Sequence, residues 1–285
     1  MEHYLPDWKH SLILVLFFFL GALPAALLVI AGINFNSLTY AVTMVLPLLW
    51  AFIISRRNAA RGLGYVPLED PQRGGFRSML PVFLLVISVT PFLGVLIEPI
   101  SNLFPMSERL QEAFERMFDT SRPVDTALAT VVLAPLCEEM LCRGLICRGL
   151  LSHGRPWFAI CFSALVFALL HGNLQQGIPA FALGIFMGWV YYRTHSLWCT
   201  IAIHFTNNAL SQVMLFLFPD LPVTATYASV MPHVWYVALL IFSAAATVAV
   251  LYTLYRKYKD EQSIISFKIR PAAGGEALGR ECPEE

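Results

Sequence analysis

The sequence predicts an all-α fold, a polytopic membrane bundle of about eight transmembrane helices. Three observations predict it. The chain of 285 residues is 57% hydrophobic and only 13% charged, whereas about a quarter of a soluble domain is charged. Several apolar runs reach the roughly 20 residues a helix needs to cross a bilayer. Lys and Arg also gather at alternate ends of those runs, as the positive-inside rule requires.

The first span is expected at residues 11–32. The preceding residues 1–10 carry two acids and one lysine, and the run is longer than a signal-peptide core, so it reads as a retained span. The second covers 37–55. A loop with Arg56, Arg57, Arg61, Arg73 and Arg77 follows, irregular by its Gly, Pro and Asp content. The third span is 78–97, with Glu98-Pro99 as its stop. Residues 107–119 place Leu110, Phe114, Met117 and Phe118 on one face and Glu108, Glu112, Glu115 and Arg116 largely off it. That pattern suits an interfacial helix or a solvated connector. The fourth span, 125–151, contains Pro135, which should kink it just before Glu138. The fifth is 156–171. The sixth, 177–192, carries Gly184-x-x-x-Gly188, a spacing that lets helices approach closely. The seventh is 197–218 and the eighth 235–255. The tail 256–285 is polar and reads as disordered. The expected partition is 1–124 (three spans and the interfacial helix), 125–218 (the core of interest), 219–255 (the last span) and the tail.

Lys9, the arginine loop, Arg148 with Arg155, Arg193, and Arg256, Lys257 and Lys259 fall on one side. Both termini are therefore expected in the cytoplasm, with the protein in the cell (plasma) membrane. The segment 101–123, with Arg109, Arg116 and Arg122, is the exception. Formal net charge is zero, so no basic field suggests nucleic acid. The six cysteines form no Cys-x-x-Cys pair and read as reduced packing residues.

Charge inside the fourth span is the unusual feature. Glu138, Glu139 and Arg143 lie among apolar residues, and charges at membrane depth are costly and usually functional. Successive helical residues are about 100° apart, so the two acids point in different directions. Glu139 and Arg143, spaced i, i+4, suit an ion pair. Glu138 has no obvious local partner and is the candidate for proton transfer. The bland alternative is a packing ion pair with a spare acid. Of seven histidines, His3, His10, His153, His195 and His233 fall in termini or loops. His171 and His204 are surrounded by apolar residues, and His204 shares a helix face with Asn208. Taken alone, His171 could snorkel at a helix end, and His204 and Asn208 could be interhelical glue. Together, a base, two imidazoles and a carboxamide suit water activation and oxyanion stabilisation in amide hydrolysis. Glu138, His171 and His204 would alternatively hold Zn with one position open, Asn208 being a weak extra ligand. One geometric tension accompanies this reading. His171 falls toward the outer end of its span and His204 toward the inner end of its own, so tilt or a short fifth helix must bring them together. No His-Glu-x-x-His helix, Gly-x-Ser-x-Gly elbow or phosphate-binding glycine loop is present.

Glu138-Glu139-x-x-x-Arg143, Phe167-x-x-x-His171 and His204-x-x-x-Asn208 resemble, in order and spacing, the three motifs of the CPBP family. This is the CAAX-protease and bacteriocin-processing family, also called abortive-infection or type II CAAX endopeptidase-like. The resemblance covers residues 125–217. It implies an eight-helix intramembrane endopeptidase that cleaves a membrane-associated peptide or protein. Glu138 and His171 would activate water, His204 and Asn208 would stabilise the oxyanion, and Glu139 and Arg143 would support the site. The family is often labelled metalloprotease, and a metal-free glutamate mechanism has also been proposed for it. Some relatives trim prenylated C-termini. Others serve peptide maturation and self-immunity. Rival readings are a transporter or binding protein with a polar midplane, disfavoured because no second Glu-Glu segment repeats the first, and an inactive scaffold.

Overall fold

The computed structural model describes residues 4–33, 35–61, 75–117, 122–218, 220–222 and 224–258. Among them the regular elements are helical and no strand occurs. The helices are α1 (Trp8–Ile30), α2 (Asn36–Ala60), α3 (Gly75–Ser101), α4 (Glu108–Met117), α5 (Pro123–Ala127), α6 (Ala134–Glu139), α7 (Arg148–Leu151), α8 (Pro156–Leu169), α9 (Leu174–Thr194), α10 (Leu197–Leu217), α11 (Tyr227–Val230) and α12 (His233–Lys257). Two π-helical segments, Leu128–Leu133 and Met140–Cys147, join α5, α6 and α7 into one continuous helix.

Four described helices are long and apolar enough to cross a membrane: Trp8–Ile30, Asn36–Ala60, Met79–Ser101 and His233–Lys257. Apolar side chains cover their outer faces, as in Leu23, Leu27, Phe52, Ile241 and Val248. Pro156–Leu169 is apolar but shorter. The continuous α5–α7 helix alternates α and π geometry, and α9 and α10 carry Gln175, Gln176, His204, Asn207 and Asn208. The polar residues that drew attention in the sequence therefore sit on the helices with the weaker hydropathy signal. The protein is an all-α integral membrane protein.

Side-chain caps set several helix starts. Asp7 accepts the His10 amide at 2.8 Å at the head of α1, and Asn173 accepts the Gln176 amide at 2.9 Å at the head of α9. Both satisfy N–H groups that a helix end leaves free. The head of α2 has no cap of its own. Asp125, at the start of the fourth span, accepts the Asn36 amide at 2.6 Å and the Ser37 amide at 3.3 Å. Asn36 also donates from its side chain to Thr126 Oγ1 at 2.8 Å.

α8 packs most extensively on α9, α1 on α2, and α3 on α12. One apolar core joins α3, α8, α9, α10 and α12 and includes Val86, Phe167, Met187 and Ile203. The other joins α1, α2, the second π segment, α8, α9 and α10 and includes Leu14, Met44, Ile146 and Tyr191. Gly184 and Gly188 set the α8–α9 contact, as their spacing predicts. A Cβ on Gly184 would lie 2.9 Å from Ala164 Cβ, and one on Gly188 3.2 Å from Ile160 Cγ2. Cys142, Cys147 and Cys199 are buried free thiols.

Some expectations change. α3 does not stop at Glu98-Pro99 but continues to Ser101 with Pro81, Pro91 and Pro99 inside it. Membrane helices tolerate proline where neighbouring groups re-satisfy the backbone. Glu98 instead accepts the amides of Tyr227 and Ala228, at 2.8 and 2.9 Å. Arg148, expected within the fourth span, opens α7. It is buried with its guanidinium 5.2 Å over the Tyr4 ring, while Leu5 and Asn58 exchange hydrogen bonds of 2.9 and 2.8 Å. The N-terminal segment, the end of α2 and α7 thus meet at one end of the bundle, as the charge pattern implies. The side chains of Phe114, Arg116 and Met117 in the interfacial helix, together with Phe118, Arg73, Lys259, Cys282 and the tail beyond 258, lie outside what the structure describes.

The Gly184→Ala variant is expected to lose about 1–3 kcal/mol of stability, because its methyl group meets Ala164 in a packed contact. Thermal unfolding in detergent measures this, and unchanged stability would show that α8 and α9 can separate at little cost.

Candidate active site

Glu139 closes α6 and Arg143 lies in the second π segment. Neither side chain has any exposed surface. Arg143 Nη1 donates to Glu139 Oε1 at 2.7 Å, and the same oxygen faces His204 Nδ1 at 3.1 Å. Arg143 Nη2 donates to the Gly184 carbonyl at 3.1 Å. A Gly184 Cβ would lie 3.1 Å from that nitrogen, so glycine is what lets the guanidinium reach the α9 backbone.

Phe167 is the common surface beneath these groups. The Arg143 guanidinium carbon lies 4.6 Å from its ring centre. The rings of His171 and His204 meet it edge to face at 5.1 and 5.2 Å. α8 is short and ends at Leu169, so His171 follows it in a turn, with Gly172 at φ 68°. The short fifth span thereby brings both imidazoles to one ring, which resolves the tension over their depths.

The partners fix the imidazole tautomers. His171 Nδ1 lies 2.9 Å from the Phe167 carbonyl, which accepts only. Nδ1 therefore carries the proton and Nε2 is left as the acceptor. Glu139 Oε1 likewise accepts from His204 Nδ1, so the ring nitrogen left over is Nε2. This differs from the expected grouping of His204 with Glu138, because the carboxylate facing His204 is Glu139.

Glu138 is buried, at 8% exposure. The sequence left it without a local partner, and the structure supplies a distant one. Tyr40 Oη, on α2 and 98 residues away in sequence, donates to Glu138 Oε1 at 3.0 Å. A lone tyrosine on an apolar helix carries no signal that would have revealed this. Among the described residues Glu138 makes no direct hydrogen bond to His171, His204 or Asn208.

Asn208 has a backbone partner. Its Nδ2 donates to the Thr130 carbonyl at 2.8 Å, and its Oδ1 accepts from Asn207 at 3.1 Å. The cause lies in the first π segment. There the Ala134 amide bonds to the Ala129 carbonyl, five residues back. The next bond in that series would run from residue 135 to Thr130, but Pro135 has no N–H. Asn208 fills the gap with one amide hydrogen and keeps the other. Pro135 thus acts by freeing a carbonyl inside the first π segment. A missing bond was predictable from the proline, but the π register decides that the open carbonyl is Thr130, and its partner was not predictable.

The zinc alternative requires Glu138, His171 and His204 to converge on one ion. Among the described residues no three His, Cys, Asp or Glu side chains come together as a metal site. Each imidazole has its Nδ1 engaged, which leaves Nε2 as the nitrogen able to ligate, and one oxygen of Glu138 accepts from Tyr40. Glu138, His171 and His204 do not form the proposed ligand set. A cavity of about 480 Å³ lies between α3, α9, α10 and α11, lined by Gln175, Gln176, Asn207 and Met214 among others. Asn207 links its wall to Asn208.

Losing Asn208 should strand the Thr130 carbonyl. Asn208→Ala is expected to cost about 1–3 kcal/mol, and less in a Pro135→Ala background, where residue 135 regains an N–H. Additive losses in the double-mutant cycle would contradict the backbone account.

No curated protein and no solved structure is significantly similar to the chain. Residues 120–210, which hold Glu138, Glu139, Arg143, His171, His204 and Asn208, match the family model described as Rce1-like, type II CAAX prenyl endopeptidase Rce1-like, the family that the three sequence motifs resemble.

Proposed function

We propose that the protein is an intramembrane endopeptidase of the CAAX type. In this reading it hydrolyses a peptide bond near the prenylated cysteine of a membrane-associated peptide or protein. The observation that carries the reading is the buried Glu139–Arg143–His204 cluster, with Glu138 as the next residue, inside the segment that matches the Rce1-like model. A transport or structural role gives no reason for two imidazoles with their Nδ1 atoms pinned and their Nε2 atoms left available.

Glu138, held through one oxygen by Tyr40, takes a proton from water with its other oxygen while His171 Nε2 accepts on the same water. The water oxygen bonds to the scissile carbonyl carbon, and Glu138 returns the proton to the leaving amine as the C–N bond breaks. The tetrahedral oxyanion is stabilised by His204 Nε2, which donates when the ring is an imidazolium beside Glu139. The second amide hydrogen of Asn208 is a further donor. Glu139 and Arg143 hold His204 in place. No step requires a metal. Around this core, residues 125–218, the reading keeps eight spans, cytoplasmic termini and a place in the cell membrane. It keeps 1–124 as an N-terminal membrane region, 219–255 as the last span and 256–285 as a cytoplasmic tail.

The test uses purified protein in nanodiscs and a synthetic peptide ending in a farnesylated Cys-aliphatic-aliphatic-X sequence. The expected outcome is cleavage after the cysteine, lost by at least about 100-fold in Glu138→Gln and in His171→Ala, with unchanged thermal unfolding. Full activity of Glu138→Gln would remove that residue from the mechanism. Treatment with EDTA or phenanthroline is expected to leave the rate unchanged. Inactivation by chelator, restored by zinc, would overturn the metal-free route.

A further inference from the structure

We propose that Tyr40 is a positioning residue for Glu138, supplied by a helix outside the segment that matches the family. The proposal rests on the reading of Glu138 as the base and adds what aims it. A carboxylate on an apolar helix has freely turning terminal torsions, and a general base must stay within hydrogen-bond reach of the proton it removes. The phenol of Tyr40 fixes one oxygen, Oε1, at 3.0 Å. It thereby sets the carboxylate plane and leaves Oε2 without a protein donor among the described residues.

Tyr40 is itself held in register. It lies one turn into α2, whose first turn is tied to the start of the same continuous helix that bears Glu138. Asp125 accepts the Asn36 and Ser37 amides, and Asn36 donates to Thr126. Ser37 adds a hydroxyl hydrogen bond to Asp125. The two helices are thus joined at two levels, by Asp125 with Thr126 and by Glu138. A shift of α2 along the Glu138 helix would break the polar contacts at both levels. Among the polar contacts described between these helices, Tyr40–Glu138 is the one that reaches the proposed chemistry.

The test has two readouts. In infrared difference spectra of the full chain in nanodiscs, wild type minus Glu138→Gln isolates the Glu138 carboxyl band. Tyr40→Phe is expected to shift that band, and Tyr252→Phe, on the exposed face of α12, is expected to leave it. With the farnesylated peptide, Tyr40→Phe is expected to lower kcat roughly tenfold, the worth of one hydrogen bond to a charged group, with KM and thermal unfolding unchanged. Asp125→Ala, which loosens α2, should move the band in the same direction by a smaller amount. A band unmoved by Tyr40→Phe overturns the proposal, as does an unchanged kcat in active enzyme. If the band moves but wild type cleaves no peptide, the positioning stands and the hydrolase reading falls. If Glu138→Gln abolishes cleavage while Tyr40→Phe leaves both readouts at wild type, the hydrolase reading stands and the positioning falls.

Discussion

A carboxylate with no exposed surface, Glu139, shares one oxygen between a guanidinium and an imidazole, and much of the inner architecture follows from that. An isolated charge is untenable in a lipid-embedded interior, so the anion must have its cation. Arg143 reaches across to the Gly184 carbonyl and lies on the Phe167 face. The pair therefore draws α6, the second π segment, α8, α9 and α10 to one point. Burial of this kind is weak evidence for stability, since desolvation consumes much of the Coulombic gain. Its consequence here is geometric. That arrangement of five helical stretches holds His204 by its Nδ1 and leaves its Nε2 outside the pair.

The two adjacent acids have different jobs because a helix turns them apart. Glu139 faces the interior and is enclosed by strong donors. Glu138 faces α2 and meets a single neutral phenol. Glu139 is held through one oxygen by a guanidinium and an imidazole. Glu138, held by a single hydroxyl, keeps its other oxygen free of any protein donor among the described residues. The N-terminal region, which the family segment does not include, thereby enters the site through Tyr40.

The π-helical stretches on either side of α6 release the backbone from its usual pairing, and such segments are frequently found at functional sites. Pro135 sits between them. The carbonyl it leaves open is taken by Asn208, one turn beyond His204 on α10. A backbone irregularity that would be costly in lipid is satisfied by a neighbouring helix, and the same bond fixes the height of α10 against the Glu138 helix.

The sequence by itself determined the fold class, most of the helix positions, the Glu139–Arg143 pair and the close approach at Gly184. Each depends on residues near one another in the chain or on composition: apolar run length, i, i+4 spacing, and a missing Cβ. It also picked out His171, His204 and Asn208, because a polar side chain on an apolar helix is conspicuous whatever it touches. Only the tertiary structure decided the partners. Tyr40 reaches Glu138 from 98 residues away, His204 faces Glu139 rather than Glu138, and Asn208 caps a carbonyl on another helix. Helical periodicity states which way a side chain leaves its own axis. Which group it meets depends on the rotation and height of a second helix, and these are set by packing across the bundle.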